Sequence, residues 1–155
     1  MAGNQTGKGG DIHIGGSANS SAGAAAVFAL LKDSSSWPRW SVFISSGLER
    51  SGDQEPEGVG AIRTFATHVS RTRELVTKLV PDRQLSYQLL SGFPFRDYHA
   101  DVVLTPSGGG TRIDWTASFR CRYGTGWFWR LFMNNVLSDM ARRLAAAAEK
   151  TAPAR

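Results

Sequence analysis

The chain of 155 residues holds one cysteine, Cys121. A lone cysteine excludes an intramolecular disulfide and the usual multi-cysteine zinc sites. It also fits a reducing compartment, so a cytoplasmic location is the expectation. Histidine is equally sparse: His13, His68 and His99 form no HxH or HxxxH pair, and no metal is expected. There is no GxSxG nucleophile elbow and no P-loop. The glycine runs at 58–60 (GVG) and 108–110 (GGG) fall short of GxGxxG, so neither nucleotide nor any other cofactor is expected. Blocks of like charge are missing too. Lysine and arginine number 18 against 13 acids, a net charge of +5, but the basic residues are scattered and no nucleic-acid partner is expected. Long apolar runs are absent. The N-terminal MAGNQTGKGG lacks the apolar stretch of a secretory signal. The longest helical segment is broken by Arg130, Asn134, Asn135, Asp139, Arg142 and Arg143, which argues against stable membrane insertion.

What is present is period. Hydrophobic residues make up 41% of the chain, and a domain of this length buries about 70% of its unfolded surface. With no repeat and no low-complexity linker, residues 11–150 read as one domain, with flexible tails at 1–10 and 151–155. Asp11–Gly16 alternates as a short first strand. A helix capped by Asn19, Ser20 or Ser21 follows to about Lys32, and DSSSWPRW (33–40) breaks it and forms a second short helical turn. Six further strands follow at Val42–Arg50, Val59–Thr67, Arg71–Val80, Gln84–Leu90, Arg96–Pro106 and Thr111–Arg122. The separators between them are short and turn-like, which joins antiparallel neighbours. From Gly126 to about Lys150 the period becomes helical, with Trp129, Phe132, Met133, Val136, Met140 and Leu144 on one face.

Alternation assigns the sheet faces. Ile113, Trp115, Ala117, Phe119 and Cys121 share one side of the last strand, and Tyr98, Ala100, Val102 and Leu104 one side of its partner. Leu85, Tyr87 and Leu89 face inward, as do Leu75, Thr77 and Leu79, while Ile62 and Phe65 leave the strand at 59–67 ambiguous. His99, Asp101 and Asp114 fall outward, and so does Glu74. No facing carboxylate pair is therefore expected.

The order of elements resembles that of the helix-grip, START-like superfamily (SRPBCC), and most closely its polyketide cyclase/dehydrase and lipid-transport branch. The resemblance runs from Asp11 to Lys150. It is carried by WPRW at 37–40, GVGAIR at 58–63, RELVTKLVPDRQLSYQLLSG at 73–92 and YHADVVLTPSGGGTRIDW at 98–115, completed by the final helix. It implies an α+β fold: a curved antiparallel sheet of about seven strands wrapped around a long C-terminal helix, with two short helices between the first and second strands.

The inward aromatic set reads either as a filled core or as the wall of a cavity between sheet and helix. Buried tyrosines need polar partners, and methionines suit varied guests. The cavity reading makes Tyr87, Tyr98, Trp115, Phe119, Trp129, Met133 and Val136 the lining, with Arg73 and Arg96 as polar groups. The expected partner is a hydrophobic small molecule, lipid- or polyketide-like, held by a carrier or sensor that is a monomer or homodimer. A cyclase, aromatase or dehydratase is the alternative, with Arg96 offsetting oxyanion charge and Tyr98 or Tyr87 shuttling a proton. A protein-interaction module with a filled core is a third reading.

Overall fold

The computed structural model describes residues 10–151. Residues 1–9 and 152–155, which hold most of the two expected tails, lie outside the described residues. The elements run β1 (Ile12–Ser20), α1 (Ala24–Lys32), a 3-10 turn (Ser34–Ser36), α2 (Trp37–Trp40), β2 (Ser45–Arg50), β3 (Ile62–Ala66) and β4 (Arg71–Val80). Then come β5 (Gln84–Ser91), β6 (Arg96–Ser107), β7 (Gly110–Arg120) and α3 (Gly126–Thr151). The seven strands form one antiparallel sheet in the order β1-β7-β6-β5-β4-β3-β2. The sheet curves around α3, as the helix-grip expectation requires.

Local chemistry explains most boundaries. The β6–β7 hairpin turns on Gly108 and Gly109, with φ of 56° and 83°. Positive φ at both central residues is what a tight hairpin turn demands. β1 runs four residues past the expected Gly16 because its pairing with β7 continues to Ser20–Thr111. That pairing displaces the expected helix cap at residues 19–21. α1 instead begins after Gly23, which offers no side-chain cap, and its Val27, Phe28 and Leu31 are buried against the sheet. α2 folds Trp37 and Trp40 back onto the body, and their indole N–H groups donate to Leu31 O and Ser36 Oγ, both at 3.1 Å.

α3 packs chiefly along β1. Its second half approaches closely because it presents small residues: Ala141, Ala145 and Ala148 are buried there beside Leu144. Gly16 marks the tightest point, since a Cβ there would stand 2.4 Å from the Ser138 backbone. Gly15 N donates to Asn134 Oδ1 at 2.9 Å, and Ser20 Oγ to the Ala145 carbonyl at 2.9 Å, tying strand to helix.

The sheet faces follow alternation except where a bulge intervenes. On β7, Ile113, Trp115, Ala117 and Phe119 are buried as the period requires. On β4 the inward residues are Thr72, Glu74 and Val76, with Leu75 and Thr77 facing out. The cause is one extra residue on β4: Val76 pairs with Tyr87 and Leu79 with Leu85. Leu79 therefore does face the core, but counting back from it by twos through the bulge exchanges the two faces. On β3, Arg63 and Phe65 face inward.

Candidate functional site

Antiparallel order gathers one set of chain segments at a single end of the sheet. The start of β2, the β3–β4 turn, the β5–β6 connection, the end of β7 and the start of α3 all lie there. Between that end and the sheet interior, beneath the first half of α3, is a cavity of about 460 Å³. The sheet contributes Tyr87, Leu89, Tyr98 and Trp115, and α3 contributes Phe132, Met133, Val136, Leu137 and Met140. Trp37, Val42 and Phe43 wall it from the α2–β2 side, and Thr67, Val69, Ser70 and Phe93 stand in the turns at its mouth.

The wall is apolar, with a small polar group set deep in it. The Trp115 indole N–H donates to Tyr87 Oη at 3.1 Å. Burial pushes the phenol pKa of Tyr87, and that of Tyr98, above the ordinary range, and the neighbouring Glu74 charge adds to it, so both stay neutral. Glu74 also faces the cavity. Its side chain is 7% exposed and, among the described residues, its only hydrogen-bond partner is Arg63 Nη2, at a long 3.5 Å. Burial raises the Glu74 carboxyl to about 7, because the attraction of Arg63 recovers only part of the lost hydration.

Arg63 is fully buried behind Glu74, its guanidinium carbon 5.0 Å from the Trp37 ring centre and 5.3 Å from that of Phe65. Nη1 donates to Leu31 O at 3.3 Å, while Nε has no partner among the described residues. A planar cation beside the stacked Trp37 and Phe65 rings, whose centres are 4.5 Å apart, is held by the ring quadrupoles as well as by its carboxylate. The cavity thus offers an apolar guest one polar corner. A protonated Glu74 donates a hydrogen bond, an ionised one accepts, and the tyrosine hydroxyls do both.

Of the residues expected to line a pocket, Tyr87, Tyr98, Trp115, Met133 and Val136 surround this cavity. Phe119 and Trp129 stand just beyond it. Phe95 packs between them, 4.1 Å from the Phe119 ring and 4.9 Å from Trp129, and the three close the cavity at the Tyr98 end. The two expected arginines are elsewhere, and both corrections come from bulges. Arg73 lies on the outer face, where Nε and Nη2 bind Glu49 at 2.8 and 2.6 Å; its chain neighbour Glu74 faces the cavity in its place. Arg96 pairs with Arg120 on the outer face, because an extra residue at Asp97, whose φ is 53°, shifts the register before His99. The inward position passes to Phe95. The helix stripe is also narrower than its period implies, since Phe132 is 42% exposed at the mouth.

Sequence reasoning missed Glu74, Arg63 and the mouth turns. Arg63 carried a signal, being an arginine two residues before Phe65 and so on the same strand face as that apolar residue. The turns carried none.

Solved structures share this architecture. A START superfamily protein from Mycobacterium smegmatis superposes with a TM-score of 0.76 at 15% identity, over 91% of this chain and 99% of that one. The protein XoxI from Bacillus cereus gives 0.72 at 17% identity, over 88% and 94%. A solution structure from Thermobifida fusca gives 0.69 at 23% identity, over 87% and 94%. These likenesses concern the fold. No functionally curated protein matches the chain. A curved sheet gripping a long helix over an apolar cavity defines a START-like, SRPBCC-type domain. Within that class, residues 11–151 match the family model for polyketide cyclase / dehydrase and lipid transport, and the chain belongs to that family.

Proposed function

We propose that the protein holds a hydrophobic small molecule, lipid- or polyketide-like, between the sheet and α3, as a carrier or sensor. The observation that carries this reading is the cavity of about 460 Å³, walled by aromatic and aliphatic side chains and furnished with one polar corner at Glu74, Tyr87 and Tyr98. Ligand sites have this composition and size, roughly 300–1,000 Å³. A filled core would leave no such space. The guest that fits is an extended or ring-shaped apolar body with a hydroxyl or carbonyl at its inner end.

Native mass spectrometry and tryptophan quenching, run against a panel of fatty acids, isoprenoids and aromatic polyketides, test the proposal. At least one class binds saturably at one molecule per chain. Val136→Trp, which places an indole in the cavity, abolishes that binding while the protein stays folded. A panel without saturable binders, or a variant that binds as the wild type does, defeats the reading.

One observation favours a second reading, a cyclase or dehydratase. A carboxyl poised near neutral pH inside an apolar cavity is suited to moving a proton on a bound guest. In that case Glu74 takes the proton-moving role that the sequence assigned to Tyr98 or Tyr87, and Glu74→Gln abolishes turnover of a polyketide substrate without loosening its binding.

A further inference from the structure

We propose that the cavity-mouth end of the molecule docks on the surface of an anionic lipid bilayer. The first turns of α3 are apolar on every side except at the exposed Arg130. Trp129 and Met133 face inward, yet Trp127, Phe128, Leu131 and Phe132 are 70, 48, 62 and 42% exposed. A helix start apolar on nearly every side, with a lone arginine, belongs at an apolar boundary, and this one has protein on a single side. The patch is continuous, with Phe132 stacked on Phe128 at 6.1 Å and Phe128 against Trp127 at 6.2 Å. It extends to other segments at the same end of the sheet. Val69, at the tip of the β3–β4 turn, is 94% exposed, and Val42 beside it at the mouth is 46% exposed.

Charge identifies the occupant. The four segments around the mouth, 39–48, 64–73, 88–96 and 121–138, contain no aspartate or glutamate, although the chain has 13. They do contain Arg39, Arg71, Arg122 and Arg130, all exposed, and none of these four makes a salt bridge among the described residues. The neighbouring acids are partly countered: Arg120 holds Asp11 at 2.8 Å and reaches Asp97 at 3.9 Å, and Arg73 holds Glu49. Large aromatic and aliphatic side chains fringed by arginine, with acids excluded, are the composition of an interfacial anchor facing anionic headgroups. A second copy of the chain fits worse, because self-pairing sets these unneutralised arginines against each other. No helix among the described residues is long and apolar enough to cross a membrane, so the contact is peripheral. It brings the cavity mouth to the lipid surface, and it stands whatever the cavity holds.

Flotation of the full chain with vesicles tests this, using phosphatidylcholine alone and phosphatidylcholine mixed with phosphatidylglycerol. The wild type partitions onto the mixed vesicles about tenfold or more better than onto neutral ones, and raised salt weakens the preference. Trp127→Ala/Leu131→Ala lowers partitioning about tenfold or more while leaving the melting temperature unchanged. Arg122→Gln/Arg130→Gln removes the preference for anionic lipid and keeps the weak binding to neutral vesicles. Absent or lipid-independent binding, or two variants that behave as the wild type, overturns the proposal. So does light scattering that finds a wild-type dimer converted to monomer by Trp127→Ala/Leu131→Ala, since the face then belongs to a second copy.

Discussion

Replacing Glu74 by glutamine separates two effects that meet at one buried carboxyl. Burial favours the neutral acid and Arg63 favours the anion. With the pKa raised from 4.5 to about 7, burial prevails. A carboxyl that binds its proton more tightly in the folded state contributes fully below its unfolded pKa. Stability then falls as pH rises from 4.5 to about 7 and levels off above that. Each tenfold in proton affinity is worth about 1.4 kcal/mol, so the loss approaches about 3 kcal/mol once ionisation is complete. Glutamine has the shape and neutrality of the protonated acid and cannot ionise. Arg63 is present in both proteins, and every other titrating group cancels in their difference. The two proteins should therefore unfold alike near about pH 4.5, and the variant should lead by about 3 kcal/mol near about pH 8. Urea denaturation followed by far-UV circular dichroism across that range measures the gap. Parallel pH profiles would show that the carboxyl is not perturbed. A variant that loses ground as pH rises would show that the Arg63 pair outweighs desolvation, reversing the order of effects argued above.

Two further outcomes check the architecture. Gly16→Ala drives a methyl group into the Ser138 backbone and should cost about 1–3 kcal/mol or displace α3, read as a fall in urea midpoint. Arg73→Ala removes only an exposed pair on the outer face, so ligand binding and melting temperature should match the wild type; a loss of binding would return Arg73 to the site.

How far the sequence reached is clearest at β6 and β7. The SGGG turn and two long alternating strands placed Tyr98, Trp115 and Phe119 on the correct face, because the ladder from His99–Ser118 to Ser107–Gly110 is unbroken and preserves the two-residue period. The period of α3 was equally plain, though period alone does not say which aromatic at a helix start meets the body and which meets solvent. Phe132 shows the gap. The polar corner was out of reach for a different reason. A bulge adds one residue to a strand without a residue signature of its own, and it reverses every side chain beyond it. The bulge in β4 exchanged Arg73 for Glu74, and the one at Asp97 exchanged Arg96 for Phe95. Both errors moved charge into or out of the cavity, so the fold survived them and the chemistry did not. The mouth turns depend on contacts between segments far apart in the chain, which alternation does not encode.

The division of α3 into a small-residue half and a bulky half has a consequence for how such a molecule diversifies. Ala141, Ala145 and Ala148, with Gly16 opposite Ser138, set where the helix lies; Phe132, Met133, Val136 and Met140 set what lies beneath it. Position and contents are written in separate stretches of one element. Substitutions in the first stretch are paid in stability, and those in the second in guest preference. The vessel can thus be re-lined without being re-hung.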